Sequence, residues 1–214
     1  MKVLTIKRTI FSLLLPATML LTMAPSAMAA TTDTSTVLKA KLNAVQGFSA
    51  DFSQDVIDAD GNIIQTATGT LAVKRPNLLH WETKAPDETL VVSDGKTLWF
   101  YNPFVEQVSA FNISNAVTNT PILLLTGLND EAWQDYKVAQ ISDNEFRIES
   151  LNEDAQVKNL HLLFNKNDLV KFTVEDATGQ LSHFHLSNVI NTPLPDAALF
   201  EFTLPEGVDF DDQR

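Results

Sequence analysis

Between Phe48 and Ile190 the chain repeatedly alternates apolar and polar residues with period two, in short runs broken by turn-forming residues. Such alternation places one apolar and one polar face on each strand, so the runs must share a sheet with one buried side. Phe48, Ala50, Phe52 and Val56 alternate with Ser49, Asp51, Ser53 and Asp55. The same signal predicts strands over Ile63–Lys74, Leu78–Thr83, Glu88–Ser93, Lys96–Tyr101, Phe104–Phe111 and Tyr136–Ile141. Further strands are expected over Glu145–Ser150, Val157–Phe164, Leu169–Glu175 and Leu181–Ile190, with a last short one at Glu201–Leu204. Turn residues punctuate them at Asp58–Asn62, Pro76-Asn77, Asn102-Pro103, Asp143-Asn144 and Thr178-Gly179, and Asp94-Gly95 is a strong two-residue hairpin signal.

Helical pattern is scarce. Thr36–Gln46 carries Val37, Leu38, Leu42 and Val45 on one stripe, with Thr34, Ser35 or Thr36 available as N-cap and Gly47 as the stop. Thr120-Pro121 opens a second short helix containing Ile122, Leu123, Leu124 and Leu125, and Thr126-Gly127 ends it. Four consecutive large aliphatics on so short a helix predict that some meet a second apolar surface or a ligand. Pro193–Phe200 can hold one more helical turn. So few helices cannot make a second layer. The pattern predicts a mainly β fold of about eleven short antiparallel strands, forming one strongly curved sheet or barrel, with helices capping the concave face. A two-sheet sandwich would leave Ile122–Leu125 without a place.

The first residues read as a processing segment. Lys2, Lys7 and Arg8 precede an apolar run, Ile10–Ala24, which Pro16 interrupts, and Ala27-Met28-Ala29 fits a small-x-small cleavage site. Residues 1–29 are therefore expected to be removed, leaving 30–214 as a single exported domain with no transmembrane anchor. Beyond that leader, 12 Lys and Arg face 27 Asp and Glu, a formal charge of −15. Such a surface disfavours nucleic acid and anionic headgroups, so neither nucleic-acid binding nor stable membrane insertion is expected. The absence of cysteine excludes a disulfide scaffold, a thiol nucleophile and an N-terminal lipidated cysteine. No hydrolase or phosphate-loop motif is present. His183 and His185 share a polar strand face with no third ligand close in sequence. These features point away from an enzyme, a metal site or a cofactor.

Arg75 stands out. With Leu71 and Val73 it falls on one strand face, where it ends an apolar row just before Pro76-Asn77. A guanidinium at the rim of an apolar face needs acceptors, and the last carbonyls of a short helix are natural ones, the Leu124–Thr126 end being a candidate. The aromatics Trp81, Trp99, Phe100, Tyr101 and Phe104 cluster near this stretch. Trp81, with Leu79 beside it, either packs a closed core or lines an open chamber.

At Val73–Asn77 (VKRPN), Asp94–Gln107 (DGKTLWFYNPFVEQ), Asn119–Pro121 (NTP), Trp133–Tyr136 (WQDY) and Asp211–Arg214 (DDQR), the chain resembles the LolA family of periplasmic outer-membrane lipoprotein carriers. The resemblance implies an incomplete antiparallel β-barrel with a lid of α-helices over a hydrophobic cavity that receives acyl chains. It implies that Arg75 hydrogen-bonds main-chain groups of the lid, by position those of Leu42, Leu125 and Thr126. The cavity would be lined from the sheet by Leu71, Val73, Leu79, Trp81 and Trp99, and from elsewhere by Ile122, Leu124, Leu162, Phe172 and Phe184. Some relatives carry phenylalanine where this chain has Leu79. The implied partners are acylated lipoproteins, an ATP-driven ABC-type releasing complex of the inner membrane, and an outer-membrane lipoprotein receptor of similar fold. The protein would act as a periplasmic monomer without cofactors. From the residues alone, a carrier of free lipid or glycolipid and a non-enzymatic assembly module remain open.

Overall fold

Alternating apolar residues build twelve strands, which join into one sheet in the order β12-β6-β5-β4-β3-β2-β1-β11-β10-β9-β8-β7. The computed structural model describes residues 33–116, 121–127 and 130–214. The expected leader, residues 1–29, and the expected cap Thr120 lie outside them. The strands are β1 (Gly47–Ile57), β2 (Ile63–Lys74), β3 (Leu78–Thr83), β4 (Thr89–Asp94), β5 (Thr97–Asn102) and β6 (Gln107–Asn112). They continue with β7 (Tyr136–Ser142), β8 (Glu145–Ser150), β9 (Val157–Asn165), β10 (Asp168–Asp176), β11 (Leu181–Ile190) and β12 (Asp209–Gln213). Every pairing is antiparallel except that of β12, which runs parallel to β6. The end strands β12 and β7 do not pair, so the barrel is unclosed.

The curvature can be read from two rings. Trp81 of β3 and Phe172 of β10 lie four strand positions apart, about 19 Å in a flat sheet. Their ring centroids are 5.8 Å apart, so the sheet folds back on itself and encloses its apolar face. Phe52, Phe172 and Phe184 join Trp81 in an aromatic cluster there, with Phe172 and Phe184 stacked at 4.4 Å.

Two segments cover the interior. Helix α1 (Thr34–Asn43) buries Leu38 and Leu42 and packs against β7 across the gap between the sheet ends. Its N-cap is Asp33, whose carboxylate accepts from Ser35 N–H, not one of the three hydroxyl residues that follow. It stops at Asn43, short of Gln46, as the chain turns into β1. The second segment is a 3-10 helix, Pro121–Thr126, which we term the plug. It touches β2, β3 and β9, strands on opposing limbs of the curled sheet. Ile122, Leu123, Leu124 and Leu125 are all at most 7% exposed. The expectation that some of them meet a second apolar surface holds: three residues per turn point them outward all round, and strands of both limbs receive them. A short helix, α2 (Ile113–Ala116), links β6 towards the plug.

Two further expectations change. Phe104–Glu106 forms a turn, because Asn102 Oδ1 accepts from the N–H groups of Phe104 and Val105. Glu201–Leu204 is irregular, and the last strand is β12 instead. It was hidden because DFDDQ has no apolar alternation. Its backbone bonds do the work, continued by Asp209 N–H to Glu106 O at 2.8 Å. The expected helical turn appears as a 3-10 turn, Ala197–Phe200, against the outer face of β3 and β4.

Candidate functional site

The apolar interior of the barrel is filled. Leu71, Val73, Leu79, Leu124, Leu162 and Phe172 are all at most 2% exposed, and Ile122 and Phe184 are scarcely more so. The partly open pocket beside Arg75, walled by Leu42, Val45, Phe48, Val73, Leu125 and Phe164, holds only about 20 Å³ of free space. That is room for about one water. Of the two readings of Leu79 and Trp81, Leu79 packs in a closed core, while Trp81 packs on Phe52, Phe172 and Phe184 and stays half-buried. The plug aliphatics and Leu38 and Leu42 of α1 belong to the same core.

What holds these covers is concentrated in the turn between β2 and β3, Arg75-Pro76-Asn77. Arg75 Nε donates to Val45 O at 3.0 Å, and its Nη1 reaches Asn43 Oδ1 at 3.5 Å. Its own N–H donates to Gln46 O at 2.9 Å. These acceptors exist because α1 ends at Asn43 and the link into β1 turns the carbonyls of Val45 and Gln46 towards Arg75. Asn77 N–H donates to Thr126 O of the plug at 2.9 Å. Partial burial depresses the pKa of Arg75, but arginine stays charged at any relevant pH, so the guanidinium must keep acceptors. Next to it, Gly127 adopts φ +85°, and a Cβ there would lie 2.6 Å from Arg75 Nη1.

The profile of a family described as "Outer membrane lipoprotein carrier protein LolA" matches residues 43–203. The chain belongs to the LolA family. A relative from Aeromonas salmonicida, named outer-membrane lipoprotein carrier protein, is 43% identical over 183 residues, 85% of this chain and 90% of its own. Proteins of the same name from Pectobacterium carotovorum (44% over 178 residues, 83% of this chain and 87% of its own) and Pasteurella multocida (40% over 204 residues, 95% and 98%) are similarly close.

Within this LolA-family chain, Arg75 is hydrogen-bonded to acceptors other than the implied Leu42, Leu125 and Thr126. Arg75 is bonded at and just past the end of α1, through Asn43 and Val45, one and three residues beyond Leu42. The carbonyl of Thr126 is engaged by Asn77 instead, and Leu125 contributes its buried side chain beneath Arg75. One expected lining residue is misplaced. Trp99 points to the outer face, because its neighbour Leu98 takes the inward position on β5. Trp99 stacks on Phe202 at 5.1 Å and lies under the Arg214 guanidinium at 5.2 Å, beneath the C-terminal segment. Sequence reasoning also missed Ser93, fully buried, whose hydroxyl donates to Asn77 O at 2.5 Å. The available signal was Asn77 itself: asparagine is among the few residues that accept a positive φ, and here φ is 64°. His183, in contact with Thr173 Oγ1 at 2.8 Å, and His185 lie on the outer polar face, and no metal-holding group of residues occurs among the described residues.

Proposed function

We propose that this chain is a periplasmic carrier of outer-membrane lipoproteins, exported after loss of residues 1–29 and working as a single domain without cofactor or catalysis. It receives acylated cargo from an ATP-driven complex of the inner membrane, shelters the acyl chains inside the barrel and yields them to an outer-membrane receptor. The relatives' shared name supports this reading, and one structural observation carries it: the sealed apolar interior is closed by two short segments fastened at a single turn. Among the described residues no helix is long and apolar enough to cross a membrane.

The energetics suit reversible loading. An acyl chain gains on the order of 10 kcal/mol on leaving water, at about 0.8 kcal/mol per methylene. Expelling the four plug aliphatics costs about 6–12 kcal/mol, at about 1.5–3 kcal/mol each. Cargo and plug thus compete on nearly equal terms, and the few latch bonds, about 0.5–3 kcal/mol each, can set the balance. The test is a release assay with inner-membrane vesicles, ATP and a labelled lipoprotein. A soluble one-to-one complex that passes its lipoprotein to outer membranes is the expected result. Retention of the lipoprotein in the vesicles, or capture of free lipid alone, would refute the reading.

A further inference from the structure

The two covers are fastened by different residues. Among the described residues, the hydrogen bonds of Arg75 go to the α1 end and the link that follows it, from its side chain to Asn43 Oδ1 and Val45 O and from its N–H to Gln46 O, while towards the plug it only packs, against Leu125 and Gly127. The plug is gripped by Asn77, whose N–H donates to Thr126 O at 2.9 Å. Asn77 is in turn held by Ser93, whose hydroxyl donates to Asn77 O at 2.5 Å and receives Gly95 N–H at 3.4 Å. Thr126 closes the plug on itself, its Oγ1 donating to Leu123 O at 2.6 Å. Ser93 and Thr126 are both fully buried, so each end of this chain of bonds is shielded from competing water, while Asn77 between them is half-buried. Asn77 needs the hold. Its φ of 64° is available to asparagine but not preferred, and turning it back would swing its N–H away from Thr126.

We propose that Ser93 and Asn77 form a second latch, specific to the plug and independent of the Arg75 latch on α1. Ser93 is a positioning residue: it fixes the Asn77 peptide so that the N–H meets Thr126 O. Each cover then opens by its own equilibrium, and cargo that displaces the plug need not first release α1. This extends the carrier reading by assigning a residue pair to one of its two covers, but its test needs no cargo.

Hydrogen–deuterium exchange on the cargo-free protein distinguishes the two covers by peptide. Ser93→Ala is expected to speed exchange in the plug peptide about three- to tenfold, as for loss of one buried hydrogen bond, and to leave the α1 peptide at the wild-type rate. Arg75→Gln is expected to do the reverse. Ser93→Thr, which restores the hydroxyl, should return plug exchange towards wild type. Equal acceleration of both peptides by either variant would mean one cooperative lid and overturn the proposal, as would an unchanged plug in Ser93→Ala. If Ser93→Ala does not fold, the wild type decides: plug and α1 opening with the same denaturant dependence and free energy refutes independence, and distinct values support it. These outcomes are separable from failure of the carrier reading, which the vesicle assay alone addresses.

Discussion

Arg75 keeps a full charge against neutral acceptors, and a charged hydrogen bond of this kind contributes about 1.5–3 kcal/mol. Arg75→Leu removes it while adding apolar surface at the pocket wall. The variant is expected to take up lipoprotein at least as well as wild type and to hand it over poorly, measured as cargo remaining soluble after outer membranes are added. Gly127 guards the same latch. Gly127→Ala would force an alanine into φ +85° and press its Cβ against Arg75 Nη1. A loss of about 1–2 kcal/mol in urea unfolding is expected from the backbone alone. The phase of Arg75 could be read from the sequence, because Leu71 and Val73 fix the face on which it lies. Its acceptors could not. They depend on α1 stopping at Asn43, and helix ends are set by tertiary turns that no local pattern specifies. Trp99 misled for a related reason: Leu98, Trp99, Phe100 and Tyr101 are all apolar, so alternation loses its phase, and the rings that cover Trp99 come from Phe202 and Phe210, a hundred or so positions on.

The elements differ in how far their own sequence determines them. β3, β8 and β11 span the residues their alternation marks, because each has one more buried and one wetter face; β2 spans its expected residues too, although residues 63–66 are exposed and Leu71, Ala72 and Val73 are all buried. β12 forms from edge pairing and Phe210 packing, which leave no periodic trace. The plug is the opposite case: its apolar run was plain, but its all-round burial depends on how sharply the sheet curls. That burial makes a discriminating prediction. Leu124 is fully buried, so Leu124→Ala should cost about 2–5 kcal/mol of stability, seen as a lower midpoint in urea. Since the cost falls on the closed state, the same variant should bind acylated peptide more tightly. Phe200, buried on the outer side of the sheet away from the plug, should lose stability on truncation with no such gain.

At the scale of the molecule, two apolar layers share one sheet: the filled barrel inside, and a smaller layer outside where the C-terminal segment crosses β3, β4 and β5. His80 sits on that outer side between Ala72 and Val92, and burial lowers its pKa against a smaller opposing effect of Glu82. His161 and His183 are lowered too, chiefly by burial, with Arg147 and Lys171 adding to it. A lowered folded value means the unfolded chain binds more protons, so stability rises with pH. It should be complete above the ordinary histidine value of about 6.5 and fall as the pH drops towards 5. A His80→Gln variant should show a shallower fall in melting temperature over that interval. The central claim is that cargo takes the place of the plug and α1 inside an otherwise unmoved barrel. Hydrogen exchange of the protein with and without a bound diacylated peptide tests it most directly. The account predicts that amides of the plug and α1 lose protection on loading while those of β1, β2, β10 and β11 keep theirs; a stable complex in which the plug remains as protected as in the empty protein would contradict it.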